Sequence, residues 1–319
     1  MSNFRTAESV SPKHPDKICD QISDAVLDAY IAKDPDARVA IDVAGGHGKV
    51  FVAGEITSTI KDIGIDNIVN RLAGDVKITK SIVNQSPEIA QGVDIGGAGD
   101  QGIMVGYATN ETPEMLPLEF ALARRLNKYL FKKWPFDGKT QITTKNGKII
   151  SIVASFQNTK KTELLEYTKK WLMSEPLAIY DNIDFHINPA GDWIIGGFDA
   201  DSGLTGRKLV VDNYGPRIPI GGGAFSGKDP SKVDRSAAYM ARKIAIDYLN
   251  KYKAQEAYVY LAYAIGHDKP LEATAIIDNV QHTIKGYDLS PSGIIKELNL
   301  KRPIYEQMAR YGHFGNGST

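Results

Sequence analysis

The sequence predicts an α+β fold with mixed, mostly antiparallel β-sheets. Predicted strands and helices follow one another without the strict alternation that a doubly wound parallel sheet requires. A unit of two strands followed by a helix recurs about three times along the chain. Because 319 residues exceed the size of one ordinary core, we expect two or three domains.

Apolar residues at helical spacing define the predicted helices. In the first helix, Pro15 occupies the first position and an apolar stripe follows along one face. Asp16, Asp20, Asp24 and Asp28 form an i, i+4 row on this helix, and the last three are interpreted as a solvated face. The helices are predicted at about 15–30, 62–72, 117–133, 162–172, 230–252, 291–297 and 303–310.

Runs of β-branched and aromatic residues define the predicted strands. The first two are joined by a glycine-rich hairpin turn at 45–48, which lacks the third glycine and the helix of a dinucleotide-binding fingerprint. Residues 84–107 are expected to form a mobile, glycine-rich loop that enters a strand. The other strands are predicted at 38–44, 49–57, 141–144, 148–155, 183–189, 193–197 and 257–266.

The composition argues against several kinds of partner. Thirty-eight basic residues balance 38 acidic ones, so no overall field attracts nucleic acid or an anionic membrane. The absence of an N-terminal signal core and of an apolar run long enough to span a bilayer predicts a cytoplasmic protein. Cys19 is the single cysteine, which excludes an intrachain disulfide, and it is interpreted as a helix-face residue rather than a nucleophile.

The segment G-G-G-A-F-S-G-K-D-P-S-K-V-D-R-S, residues 221–236, carries the strongest local signal. It contains the G-x-x-x-x-G-K of a P-loop, but Asp229 replaces the Ser or Thr that would hold Mg²⁺. Asp229 and Pro230 are expected to cap and start a helix whose free N–H groups bind an anion. Asp234 lies among cations and would repel phosphate unless a metal bridged them, so it is predicted to bind Mg²⁺. The alternative is a solvated capping turn with ordinary charges.

Other segments have a similar character. His14 and Asp16 begin the first helix, where His14 is either a helix cap or a catalytic residue and Asp16 a metal candidate. Glu55 is expected to be partly buried in a strand, either in a salt bridge or at a ligand. The phosphate candidates are Lys139, Arg207, Lys208, Lys228, Lys232 and, beside the last two, Arg235. Together these features are typical of a Mg-nucleotide enzyme.

Several whole phrases resemble the S-adenosylmethionine synthetase family. They are S-V-S-P-K-H-P-D-K-I-C-D-Q-I-S-D-A-V-L-D, G-A-G-D-Q-G-I-M-V-G-Y-A-T-N-E-T, G-L-T-G-R-K, residues 221–239 and the closing Y-G-H-F-G. The matches occur in the family's order from Glu8 to Gly315. The resemblance implies that methionine sulfur attacks C5′ of ATP, and that the displaced triphosphate is then cleaved to pyrophosphate and phosphate.

The resemblance also implies roles for individual residues. The catalytic set comprises His14, Lys139, Arg207, Lys228 and Lys232. The ATP-binding set comprises His14, Asp137, Lys139, Asp192, Trp193, Asp201, Arg207, Lys208, Ala224 and Lys228. The methionine-binding set comprises Glu55, Gln91, Asp100, Asp201, Lys232 and Ile265, with Asp100 acting across a subunit boundary. Two Mg²⁺ ions would be bound by Asp16 and Asp234, and K⁺ by Asp42.

The family pattern implies three similar α/β domains in a pseudo-threefold arrangement. Their expected boundaries are 1–95, 96–196 and 197–319, with segments exchanged between domains. Homodimers would form through the sheets, share their active sites and often pair into homotetramers.

The chain departs from the family pattern at a few positions. Trp193 stands where another aromatic ring usually stacks on adenine, and Asp192 replaces a cation. Asp42 replaces the Glu that helps bind a monovalent cation, and with one methylene less it is expected to weaken K⁺ binding. The loop between Gln91 and Asp100 is several residues shorter than usual. Two alternatives stay open: another Mg-ATP-dependent transferase, or a non-catalytic homologue that binds ATP and methionine.

Overall fold

The computed structural model describes residues 3–85 and 96–316 and has the α+β fold that the sequence predicts. The strands of these residues form three four-stranded sheets. They are β1 (Phe4–Val10), β2 (Arg38–Gly46), β3 (Lys49–Thr57), β4 (Lys77–Val83), β5 (Gly102–Thr109), β6 (Gly138–Lys145), β7 (Lys148–Phe156), β8 (Tyr180–Ile187), β9 (Gly203–Leu204), β10 (Glu256–Tyr263), β11 (Glu272–Ile277) and β12 (Val280–Thr283).

Each sheet combines neighbouring strands with one strand from a distant part of the chain. Sheet 1 has the order β1-β6-β7-β8, sheet 2 the order β4-β3-β2-β9, and sheet 3 the order β12-β11-β10-β5. Pairing is antiparallel except between β7 and β8 and between β3 and β4. The antiparallel character agrees with the hairpin turns in the sequence, such as the β2–β3 turn, where His47 and Gly48 both have positive φ.

One long helix packs against each sheet. Helix α1 packs on sheet 2, α3 on sheet 1 and α6 on sheet 3. The apolar stripe of α1 is buried as predicted, and its cysteine, Cys19, is fully enclosed in the core. The helices are α1 (Pro15–Ile31), α2 (Ile65–Ala73), α3 (Leu118–Lys133), α4 (Lys161–Ser174), α5 (Leu209–Asp212), α6 (Val233–Tyr252), α7 (Pro291–Glu297) and α8 (Tyr305–Ala309).

The two faces of sheet 2 differ in polarity and exposure. Val39, Ile41 and Val43 of β2 point into the core, so the alternate residues, including Asp42, lie on the outer face. Phe51 of β3 lies on that outer face and keeps 44% of its surface exposed. The outer face therefore carries both apolar and ionisable side chains that the described residues leave exposed.

The prediction of a strand at 193–197 was wrong. Ile194 and Ile195 are 76% and 68% exposed and lie in a loop without strand pairing. The side chain of Gln157 donates to the carbonyl of Ile194 at 2.7 Å, which takes the place of a strand partner. An apolar run alone does not specify a strand when no neighbouring strand is available. Within the described residues, no helix is both long and apolar enough to cross a membrane.

Candidate active site

His14 caps the N-terminus of α1. Its Nδ1 accepts a hydrogen bond from the backbone N–H of Asp16 at 3.2 Å, so the hydrogen of the neutral ring lies on Nε2. Burial and the ammonium groups of Lys208 and Lys139 lower the pKa of His14 to about 3. The ring is therefore neutral near pH 7 and presents an Nε2–H donor. The capping and catalytic interpretations of His14 are thus compatible with each other.

Asp16, also at the N-terminus of α1, lies close to two cationic side chains. Lys208 Nζ lies 2.5 Å from Asp16 Oδ2, and Arg207 Nε lies 3.5 Å from Oδ1. Burial opposes ionisation, but hydrogen bonds from Lys208 and from the backbone of Leu204 hold the pKa of Asp16 below its usual range. We call His14, Asp16, Lys139, Arg207 and Lys208 the histidine cluster.

The turn that carries Arg207 and Lys208 fits closely against α1. A Cβ added at Gly203 would lie 2.2 Å from the carbonyl oxygen of Pro15, so only glycine permits this approach. Lys139 comes from β6, where it pairs with Val10 of β1. Two distant segments, the turn before α5 and strand β6, therefore meet the start of α1.

A second group of charged residues surrounds a cavity of about 180 Å³. Lys228 Nζ lies 2.5 Å from Asp234 Oδ2, with both side chains partly exposed. Glu55 is half-buried in β3, as predicted, and lines the same cavity with the exposed Asp100 and with Lys232. We call Glu55, Asp100, Lys228, Lys232 and Asp234 the lysine pocket.

Glycines allow the segment before Lys228 to approach its neighbours. Gly227 has φ +82°, and a Cβ there would lie 1.9 Å from the carbonyl oxygen of Ile41. A Cβ at Gly223 would lie 2.3 Å from Cγ of Asp234. Lys228 itself pairs with Ala40 of β2 in an isolated antiparallel bridge. The segment that resembles a P-loop is thus added to the edge of sheet 2.

Two expectations for this segment are corrected by the structure. Asp229 does not cap α6, which begins at Val233 rather than Pro230. Its carboxylate is buried and accepts from Val39 N at 2.7 Å, so it anchors the segment to β2 instead. Arg235 is fully buried beside Asp24 and does not join the cations of the lysine pocket. That leaves Lys228 and Lys232, the latter also paired with Asp229.

The loop that contains Trp193 lies against the end of sheet 1. Trp193 is half-buried, and a Cβ at Gly196 would lie 2.6 Å from its ring. Asp137, just before β6, accepts a hydrogen bond from Gly197 N at 3.1 Å. This bond ties the Trp193 loop to the strand that carries Lys139.

The remaining residues of the predicted ATP set have different environments. The carboxylate of Asp192 accepts from Lys161 N at 2.9 Å and so lies at the start of α4. Asp201 is exposed, and its charge acts on His14. Ala224 lies against the turn of the histidine cluster, since a Cβ at Gly206 would be 2.6 Å from its own Cβ.

Three other predicted residues lie at the margins of these groups. Gln91 lies outside the described residues. Ile265 is 61% exposed beside Gly266, whose N–H bonds to the carbonyl of Ala98 at 2.8 Å. Asp42 is exposed on β2, next to the residue that pairs with Gly227.

The carboxylates of the two groups suit a metal ion that is coordinated partly by the protein and partly by a substrate. Within the described part of the chain, no three His, Cys, Asp or Glu side chains form a metal-binding cluster. Asp16 and Asp234 instead each offer a carboxylate beside cations that suit phosphate. Mg²⁺ is usually bound by one or two carboxylates together with substrate phosphates. Both positions therefore suit Mg²⁺ that enters with a nucleotide.

The acidic row of α1 is not a solvated face, which corrects the expectation from its spacing. Asp20 and Asp24 are fully buried, and each accepts a backbone N–H from a distant loop at 2.8 Å, from Gly206 and Gly227 respectively. Asp28 accepts from the backbone of residues 305 and 306. Sequence reasoning missed these structural roles, because i, i+4 spacing does not say what a helix face meets.

The histidine cluster and the lysine pocket lie near different points of α1. Asp16 belongs to the histidine cluster, whereas Asp24 contacts the segment before Lys228, and eight residues of helix span about 12 Å. None of the described residues that line the cavity of the lysine pocket belongs to the histidine cluster. One chain thus carries two charged groups at separate places.

Comparisons with known proteins identify the family. Models of the N-terminal, central and C-terminal domains of S-adenosylmethionine synthetase match residues 2–91, 95–193 and 195–319. The S-adenosylmethionine synthase of Clostridium tetani is 43% identical over 99% of this chain and 95% of its own length. That of Desulforudis audaxviator is 42% identical over 98% and 93%. The chain belongs to the S-adenosylmethionine synthetase family.

Proposed function

We propose that this enzyme forms S-adenosyl-L-methionine from ATP and L-methionine. The sulfur of methionine attacks C5′ of ATP, the C5′–O bond breaks, and the triphosphate leaves and is hydrolysed to pyrophosphate and phosphate. The observation that carries this proposal is the neutral Nε2–H of His14 among the cations of the histidine cluster. Membership of the family and the names of its relatives support it.

The arrangement suits a reaction whose main difficulty is the leaving group. A thioether is neutral and nucleophilic, so the enzyme needs no general base to activate it. Charge develops on the oxygen that leaves C5′, where a fixed donor is most effective. His14 donates to that oxygen, and Lys139, Arg207 and Lys208 of the histidine cluster bind the phosphates, as do Lys228 and Lys232 of the lysine pocket.

Enzymes of this family depend on metal ions, and we propose Mg²⁺ at two positions per site. Asp16 and Asp234 would each hold one ion beside the triphosphate. Bound there, Mg²⁺ would neutralise part of the charge of the triphosphate. Lys208 and Lys228, which pair with these carboxylates in the structure, would then be available to bind the phosphates. Asp42 is proposed as the K⁺ ligand, with a shorter reach than a glutamate.

The two substrates are recognised by different parts of the chain. Adenine stacks on Trp193, while Asp137 and Asp192 hold that loop and Asp201 and Ala224 border the nucleoside. Methionine is bound by Glu55, Gln91, Asp100, Asp201, Lys232 and Ile265. We also propose the domain division that the family pattern implies, at about 1–95, 96–196 and 197–319, with segments exchanged between domains.

We further propose a homodimer in which each active site combines the histidine cluster of one copy with the lysine pocket of the other. Two observations support this arrangement: the groups are separate within one chain, and the outer face of sheet 2 leaves Phe51 and Leu204 exposed. Pairing through this face would bury them in an isologous interface. Dimers pair further into tetramers.

A product assay tests the proposed reaction. The protein is incubated with ATP, Mg²⁺ and L-methionine, and the nucleoside and phosphate products are separated. We expect S-adenosylmethionine with equal amounts of phosphate and pyrophosphate, and no turnover when methionine is omitted. Formation of ADP would indicate a kinase-like transferase, and ATP binding without turnover would indicate a non-catalytic homologue.

A further inference from the structure

The carboxylate of Asp24 connects the two segments that carry Lys228 and Asp234. Its Oδ1 accepts from Gly227 N at 2.8 Å and from Arg235 Nη2 at 2.5 Å. Gly227 immediately precedes Lys228, and Arg235 immediately follows Asp234. One oxygen atom therefore joins the backbone before the lysine to the helical turn that carries the aspartate.

Asp24 cannot touch a ligand itself. Its side chain and that of Arg235 are both 0% exposed, and neither lines the cavity of the lysine pocket. We propose that Asp24 is a positioning residue that sets the separation between Lys228 and Asp234. This inference rests on the proposed function, in which these two side chains meet the triphosphate and its metal.

Further contacts fix both partners of Asp24, Gly227 and Arg235. The position of Asp24 therefore affects the positions of Lys228 and Asp234 in the lysine pocket. Arg235 Nε donates to the carbonyl of Phe225 at 2.7 Å, and its guanidinium lies 4.5 Å from the ring centre of Tyr305. Gly227 is fixed on its other side by the hydrogen bond from Ile41 N to its carbonyl at 3.0 Å. Neither segment can shift alone without breaking a buried hydrogen bond.

The same helix offers matched controls. Asp20 accepts a hydrogen bond from the backbone N–H of Gly206 at 2.8 Å. Gly206 directly precedes Arg207, so Asp20 holds a segment of the histidine cluster rather than of the lysine pocket. Asp28 accepts from the backbone of Tyr305 and Glu306, which belong to neither group; because the ring of Tyr305 lies against Arg235, Asp28 is the more stringent of the two controls. Three aspartates on one helix thus hold three different segments.

Hydrogen exchange in the free protein tests the placement without any ligand. We expect Asp24→Asn to speed exchange at least about tenfold in peptides covering 221–236, with no change in 200–212. Asp20→Asn should show the reverse pattern, and Asp28→Asn should change neither segment. Unchanged exchange in 221–236 for a folded Asp24→Asn protein contradicts the inference.

Kinetics and metal binding test the consequence. The wild type is measured first, because its failure to form S-adenosylmethionine would count against the proposed function alone. With an active wild type, we expect Asp24→Asn to lower kcat about tenfold or more and to weaken Mn²⁺ binding in the presence of tripolyphosphate, read by electron paramagnetic resonance. Asp28→Asn should keep both values. A purely structural role would lower stability in both variants and leave kcat per folded molecule and Mn²⁺ affinity unchanged.

A second variant covers the case in which Asp24→Asn does not fold. Arg235→Lys keeps a positive charge opposite Asp24 but lacks the planar guanidinium that also reaches Phe225. It should show the same changes in exchange, kcat and Mn²⁺ affinity at smaller amplitude. If these three quantities match the wild type, Asp24 does not position the lysine pocket.

Discussion

Two kinds of ion pair in and around the candidate site differ in whether water reaches them. In the open pairs, Lys208–Asp16 and Lys228–Asp234, the lysine side chains are 16% and 29% exposed and the aspartates 2% and 17%. In the sealed pairs, Lys17–Asp20 and Arg235–Asp24, both partners are 0% exposed. Each pair joins an aspartate to a lysine or an arginine, and the main difference lies in the surroundings.

This difference in exposure separates residues suited to bind a ligand from residues that position other parts of the site. A lysine that water reaches can exchange its carboxylate partner for a phosphate at a smaller cost than a lysine or arginine in a sealed pair. A sealed pair cannot open without leaving a buried charge uncompensated. The lysines of the open pairs are therefore suited to bind a phosphate in place of a carboxylate. The aspartates of the sealed pairs instead fix the loops that carry the residues of the open pairs.

Removing a sealed cation should have the largest effect on stability. We expect Arg235→Ala to lower the free energy of unfolding in urea by about 3–5 kcal/mol, because Asp24 is left buried without its partner. Lys228→Ala, from an open pair, is the control and should change it by less than about 1 kcal/mol. If both variants lost the same free energy of unfolding, open and sealed pairs would not differ in their contribution to stability.

Removing the donor of the histidine cluster should have the largest effect on activity. We expect His14→Asn to reduce kcat by about a hundredfold or more, the loss typical of one transition-state donor. Because asparagine also caps helices, stability should be kept, and ATP affinity should change less than about threefold. Single-turnover kinetics and calorimetry provide these values. A near-normal rate would refute the role of His14.

The carboxylate of an open pair should affect metal dependence. We expect Asp234→Asn to raise the Mg²⁺ concentration for half-maximal activity about tenfold, with little change in the unfolding midpoint. Asp181→Asn is a suitable control, since Asp181 lies 71% exposed in a surface pair with Lys148. An Mg²⁺ titration identical to that of the wild type would argue against Asp234 as a ligand.

The smallest effect is expected at the aromatic ring of the Trp193 loop. Trp193→Phe keeps a stacking surface and should change the KM for ATP by less than about threefold, whereas Trp193→Ala should raise it about fivefold or more. Steady-state kinetics with ATP varied at saturating methionine measures both. Equal values for the wild type and the alanine variant would place adenine elsewhere.

Much of the fold was predictable, because α1, α6 and the β2–β3 hairpin carry strong periodic and turn signals. Strands β1, β4, β9, β11 and β12 were not predicted, and the sequences of two of them, K-I-T-K-S-I-V (β4) and V-Q-H-T (β12), show one reason. Both are edge strands with few buried side chains, so they lack the apolar alternation that marks a half-buried strand.

The candidate site was predictable where charged residues flank glycine turns and helix starts. Phosphate-binding and metal-binding candidates can be named from residue type in such places, as for His14, Asp16 and Lys228. The sealed residues could not be identified in this way. The partners of Asp24 are more than 200 positions away, at Gly227 and Arg235, and only the folded chain shows that they meet.

Mixed oligomers test most directly whether two copies complete each active site. His14→Asn and Asp234→Asn proteins are mixed, unfolded and refolded together so that subunits reassort, and activity is measured at an Mg²⁺ concentration too low to support the Asp234→Asn protein. If each site joins the two groups from different copies, half of the dimers carry one intact site. Activity should then recover to about a quarter of the wild-type value. No recovery, with mixed dimers demonstrated by mass spectrometry, would contradict the shared site.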